Sequence, residues 1–158
     1  AYRFDWDEQP TILGMDFSFL LGAGHGLEIP FVMGDFDFGK QTRFLFTKKN
    51  ENERNKLSKV IMQYWTHFAK KGYPSNESEN ITLWDKWPKG GINQNRIMIL
   101  DTEQSNAPRM SNGYVPHNKL VTIFENDERS LKVDNKCNFL EDVYSWVDNW
   151  KSKNNFCQ

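Results

Sequence analysis

Apolar residues recur along this chain with two different periods. Tyr2, Phe4 and Trp6 alternate with Arg3 and Asp5, the period of two that turns one face of a strand towards a core. A strand over residues 2–6 with three aromatics on one face needs a sheet beside it and a layer above it. Gln9-Pro10 ends it, and Thr11 to Leu21 follows as an apolar connection without clear period. From Asn50 to Lys71 the period changes: Leu57, Val60, Ile61, Tyr64, Trp65 and Phe68 fall on one stripe of a long helix. Asn50 and Glu53 have the spacing of a capping box, and Gly72 and Pro74 stop the helix. The stripe residues Tyr64, Trp65 and Phe68 are expected in the core.

Residues 73–95 read as a polar loop pinned by Trp84 and Trp87-Pro88, and Arg96–Leu100 as a short strand. Asp101 to Asn118 reads as a loop and Leu120–Phe124 as a further strand. A second helix is expected over about 138–153, capped by Asn138, with a stripe of Phe139, Val143, Trp146, Val147 and Trp150.

Composition narrows the classes of function. The 158 residues carry a net charge of −1, so no basic field exists to hold nucleic acid. No apolar run reaches the ~20 residues that span a bilayer, and no signal peptide is visible. The chain opens at Ala1 inside what reads as a strand. Cys137 and Cys157 are the only cysteines, too few for a disulfide framework or a thiolate zinc site. Two free thiols are expected, with a bridge as the alternative. Gly34-Asp35-Phe36-Asp37-Phe38-Gly39 resembles the start of a calcium loop but lacks its later ligands and terminal Glu, so it reads as a turn. No metal or cofactor is expected.

The chemistry concentrates at Gly22-Ala23-Gly24-His25-Gly26-Leu27-Glu28-Ile29-Pro30-Phe31. One histidine is set among three glycines, which admit backbone angles closed to other residues. Such a loop can hold an imidazole over a cleft as a general base. His67, beside the helical stripe, reads as a boundary residue, and His117 as a solvated loop residue. A histidine base needs a nucleophile to deprotonate and a carboxylate to orient it. The chain has no Gly-x-Ser-x-Gly elbow, and its only adjacent glycines, Gly90-Gly91, lie far along the sequence in the polar loop.

These pieces, in this order, resemble the C-terminal third of a type-B carboxylesterase, the α/β-hydrolase family that includes para-nitrobenzyl esterases and cholinesterases. The resemblance rests on Tyr2-Arg3-Phe4-Asp5, on the stretch from Gly22 to Val32, and on Ile61-Met62-Gln63-Tyr64-Trp65-Thr66-His67-Phe68-Ala69-Lys70-Lys71-Gly72, followed by Trp87-Pro88 and Arg96–Leu100. It covers residues 1–104. Beyond Gln104 only Cys137 and the final helix are similar to the family, and residues 105–135 have no counterpart.

The resemblance implies an α/β fold in which residues 1–158 form one incomplete α/β-hydrolase domain with few strands. It implies that His25 is the histidine of a Ser-His-acid triad. The serine, the acid and the oxyanion loop would then lie upstream of Ala1, on the N-terminal part of the same enzyme. Glu28 matches a family carboxylate that stands one layer behind the histidine; otherwise it is a surface Glu. Neither Asp5 nor Asp16 takes the acid's place. Phe31 is either core or a wall of the acyl pocket, with core the simpler role. The expected substrate is a small carboxylic ester, and the isolated chain is expected to be inactive. Two readings compete: a fragment of a non-catalytic, cholinesterase-like adhesion protein, and a self-sufficient aromatic-rich binding module.

Overall fold

Residues Tyr2–Phe4 form β1 and Ile97–Leu100 form β4, and the two strands run parallel, with Tyr2 opposite Met98 and Phe4 opposite Leu100. On its other side β4 pairs antiparallel with β5, Arg109–Ser111. The order β1-β4-β5 leaves β4 central, and Met98, Ile99 and Leu100 are accordingly buried. In this computed structural model residues 1–40, 42–75, 80–88, 94–113, 115, 117–128 and 136–145 are described. They fall into two compact units, residues 1–114 and 115–158.

The first unit is built against α3, Glu51–Lys71. Leu57, Ile61 and Tyr64 form its buried stripe and meet Trp6, Phe31, Met98 and Leu100 in one core. Each such side chain contributes about 1.5–3 kcal/mol by leaving water. Gly72, in the left-handed conformation, ends the helix and donates its N–H to Phe68 O. A parallel strand pair packed with a long amphipathic helix agrees with the α/β fold that the family resemblance implies.

Several details differ from the sequence expectations. Asn50 is the N-cap residue of α3, but its side chain makes no capping bond: its Oδ1 accepts from the Thr47 N–H at 3.0 Å and from Arg54 at 2.5 Å, and its Nδ2 donates to Glu8 O and Leu45 O. The capping box is absent because this side chain is drawn into a knot of tertiary hydrogen bonds. Glu53 instead accepts from Asn52 and Lys56. Phe68 is 59% exposed rather than core, since the stripe outruns the sheet it packs on. Trp84 does pin its loop, with its ring centroid 5.1 Å from that of Tyr64. β5 lies in a stretch read as loop, because Met110 is its only apolar residue.

In the second unit Leu120–Phe124 belongs to a helix, α4, His117–Asn126. Val121 and Phe124, one turn apart, pack on Leu140 and Tyr144, a helical spacing that a five-residue window disguised. The next helix, α5, spans Lys136–Val143 and starts before Asn138. Its buried residue is Leu140, while Phe139 and Val143 are exposed; Phe139 stacks on Phe124 at 5.1 Å. Trp146, Val147, Trp150 and the adjacent glycines 90–91 lie outside the described residues. Cys137 is disulfide-bonded, which corrects the expectation of free thiols; Cys157 lies outside the described residues.

Candidate functional site

The route from β1 to His25 is a series of tight local structures. Beyond Trp6, which is fully buried, the chain forms a two-residue hairpin of β2, Thr11–Ile12, and β3, Met15–Asp16. Leu13 and Gly14 turn it with φ of 52° and 80°. Asp16 then caps α1, Phe17–Leu21, by accepting from the Ser18 and Phe19 N–H groups. The Ser18 hydroxyl bonds the same carboxylate at 2.6 Å, and this bond above all holds the Asp16 carboxyl below its ordinary range. Asp16 is thus committed to the cap, and Asp5 is paired with Arg3 at 2.7 Å; neither is bonded to the histidine.

Two turns carry His25. The Leu27 N–H donates to Gly24 O at 3.1 Å and the Ile29 N–H to Gly26 O at 3.2 Å. Gly26 adopts φ +87°, a conformation strained for any residue with a Cβ. A Cβ on Gly24 would come within 3.2 Å of Leu21 O. The glycines flanking the histidine therefore serve the backbone path of this loop.

Behind the loop stands an anchor. The helix α2, Ile29–Met33, has Pro30 in its first turn and Phe31 fully buried. The Phe31 ring lies 5.1 Å from those of Phe4 and Trp6 and 5.0 Å from Phe36, and its carbonyl accepts from the Ser58 hydroxyl of α3 at 2.8 Å. Phe31 is core, the simpler of its two expected roles. Ahead of the loop, the buried Gln9 donates from Nε2 to Gly22 O at 2.7 Å.

His25 itself is exposed, and among the described residues its imidazole has no hydrogen-bond partner. Glu28 is partly buried just ahead of α2, where its carbonyl accepts from the Phe31 and Val32 N–H groups. No hydrogen bond or ion pair joins the Glu28 side chain to His25. Its charge is felt at Tyr2, whose hydroxyl is pushed up first by burial and then by Glu28. The loop thus presents the two expected residues three apart in sequence without bonding one to the other.

Two acidic residues, Glu8 and Asp101, meet at Thr102 without any signal in the sequence pattern. The Thr102 hydroxyl donates to Glu8 Oε1 at 2.5 Å, and the Thr102 N–H donates to Asp101 Oδ1 at 2.8 Å. Burial, more than any other cause, raises both carboxyls above their ordinary values. The Thr102–Glu8 bond joins residues 94 apart in sequence, so no local pattern announces it. Gln9 was likewise read only as the end of a strand. The remaining histidines are accounted for otherwise: His67 meets Tyr73 O at 2.8 Å, and His117 opens α4 rather than sitting in a loop.

A cavity of about 860 Å³ opens at the other end of β1, walled by Tyr2, Trp65, Phe68, Trp84 and Trp87. No residue of the histidine loop lines it. Among the described residues no cluster of His, Cys, Asp and Glu has the arrangement of a metal site, and no helix is long and apolar enough to cross a membrane.

Comparison with known proteins places these residues in a wider group. A family model described as "Carboxylesterase family" matches residues 1–119, past residue 104 where the motif resemblance ends. Acetylcholinesterase of Danio rerio is 29% identical over 145 residues, 84% of this chain and 21% of the relative. Para-nitrobenzyl esterase of Bacillus subtilis (strain 168) is 32% identical over 102 residues, 65% of this chain and 18% of the relative. Cocaine esterase of Homo sapiens is 33% identical over 77 residues, 49% of this chain and 13% of the relative. The chain therefore spans about a fifth or less of the length of these relatives.

Proposed function

This chain belongs to the carboxylesterase family, and on that premise we propose that His25 is the proton shuttle of a serine esterase acting on small carboxylic esters. The observation that carries the proposal is the state of His25: an exposed imidazole with no hydrogen-bond partner among the described residues, on the turn that the Leu27 N–H closes onto Gly24 O. A general base must be reachable by the group it deprotonates and held still while it works. The exposure of His25 supports the first condition, and the turn bonds that fix its backbone support the second. The serine and the acid come, in this reading, from the N-terminal part of the same enzyme.

In the cycle, the imidazole takes the proton of the serine hydroxyl as its oxygen attacks the ester carbonyl. The imidazolium returns that proton to the departing alkoxide as the acyl-enzyme forms. It next deprotonates a water that attacks the acyl-enzyme, and protonates the serine as the acid leaves. Glu28 supports the cycle from behind the loop as a fixed negative charge, without touching the substrate. The role of this chain is to carry the base, and residues 1–158 are incomplete as a catalyst.

The test is turnover of para-nitrophenyl acetate by the full-length protein. His25→Ala is expected to lower kcat by about 10⁴-fold or more with an unchanged melting temperature, because the side chain lies outside the core. Turnover at the wild-type level would sink the proposal. The 158-residue chain alone is expected to be inert towards the same ester and towards a serine-directed phosphonate; covalent labelling would reveal a nucleophile within it.

A further inference from the structure

We infer that Gln9 is a positioning residue, which sets the His25 loop by holding the carbonyl of Gly22. This rests on the reading of His25 as the proton shuttle. Gln9 is 5% exposed, and a buried amide costs stability unless its polar atoms are paired. Only half of it is satisfied: Nε2 donates to Gly22 O at 2.7 Å, while the buried Oε1 has no partner among the described residues. A residue chosen for packing would be apolar here. The one bond this amide makes goes to the first carbonyl of the loop, three residues before the imidazole.

The bond acts between a fixed base and a settable turn. On the fixed side, Glu8 is held twice: its carbonyl accepts from Asn50 Nδ2 at 2.9 Å, and its carboxylate accepts from the Thr102 hydroxyl at 2.5 Å. These bonds join the segment before Gln9 to the start of α3 and to the residues just after β4. On the other side, Gly22 ends α1 with φ +50° and its N–H on Ser18 O at 2.9 Å. Glycine's broad freedom leaves the next peptide plane undetermined by local sterics, and the Gln9 amide determines it. A line of hydrogen bonds therefore runs from the body of the fold, through Gln9, to the peptide that starts the histidine loop.

The experiment compares Gln9→Leu and Gln9→Glu with wild type in the full-length protein, reading para-nitrophenyl acetate turnover and amide hydrogen exchange. Both variants are expected to lower kcat by about tenfold to a hundredfold at unchanged KM. The Leu27 and Ile29 amides, which close the two turns, should exchange faster while the α3 amides keep their protection. Gln9→Glu, nearly the same shape, sets a carboxylate against the Gly22 carbonyl. Its kcat relative to wild type should recover as pH falls and the side chain regains a proton to donate. It also keeps the test decisive should Gln9→Leu fail to fold. Values of kcat within twofold of wild type, or protection lost equally from loop and α3, would overturn the inference. If His25→Ala keeps full turnover, the functional reading has failed instead; the exchange data still decide whether Gln9 sets the loop.

Discussion

Two sides of the first unit are held together in different ways. On the sheet side, Trp6, Phe31, Ile61 and Leu100 close a dry core under α3. On the histidine side, α1 has no buried residue, Leu13 is 94% exposed and Phe19 88% exposed. What keeps that side in shape is a cap at Asp16, glycine turns and the Gln9 bond. The contrast teaches that a segment holding an exposed side chain such as His25 is not secured by burying it. Directional bonds do the work instead, and Leu13 and Phe19 are left bare.

The contrast is sharpest where it can be broken. Ile61→Ala removes a fully enclosed side chain, and urea denaturation should show a loss of about 2–5 kcal/mol. A loss as small as that of a surface change would mean the core is not closed. Next comes Glu8, whose carboxyl burial holds above its ordinary 4.5. The native state then disfavours the ionised form, so Glu8 subtracts stability above its native pKa and none below the value it has unfolded. Glu8→Gln should raise the melting temperature at pH 7, by less than the roughly 2–4 °C that 1 kcal/mol produces at this size, because the group is half open to solvent. Melting curves of the two proteins should meet below about pH 4.5; a gap that persists there would assign the effect to packing. The smallest effect belongs to the bare side: Phe19→Ser should change stability by about 0.5 kcal/mol or less while reducing the fluorescence of a bound hydrophobic dye. A cost matching that of Ile61→Ala would erase the distinction between the two sides.

Legibility in the sequence follows the same division. α3 is readable because its buried stripe repeats over enough residues to fix the period, and β4 because Ile97–Leu100 is an unbroken apolar run; of the strand expected over 2–6, only Tyr2–Phe4 forms. The glycine spacing likewise marks the tight turns around His25. What periodicity could not supply is the partner of a polar group. Asn50 has the right spacing for a cap and spends its amide on Glu8 and Leu45 instead. Gln9 and Thr102 reach across 13 and 94 residues respectively, distances at which nothing local signals a bond. Short apolar windows failed for a related reason: Leu120–Phe124 fits a strand until Leu140 and Tyr144 show which residues face inward.

The parallel register of Tyr2 with Met98 has a consequence for how the protein is made. At about 5–20 residues per second on the ribosome, β1 waits roughly 5–20 s before β4 exists. Meanwhile Tyr2 and Phe4 lack this partner strand on the nascent polypeptide. Biogenesis of this protein should accordingly lean on cellular chaperones that shield sticky segments, and synthesis without them should favour clumping through this first strand.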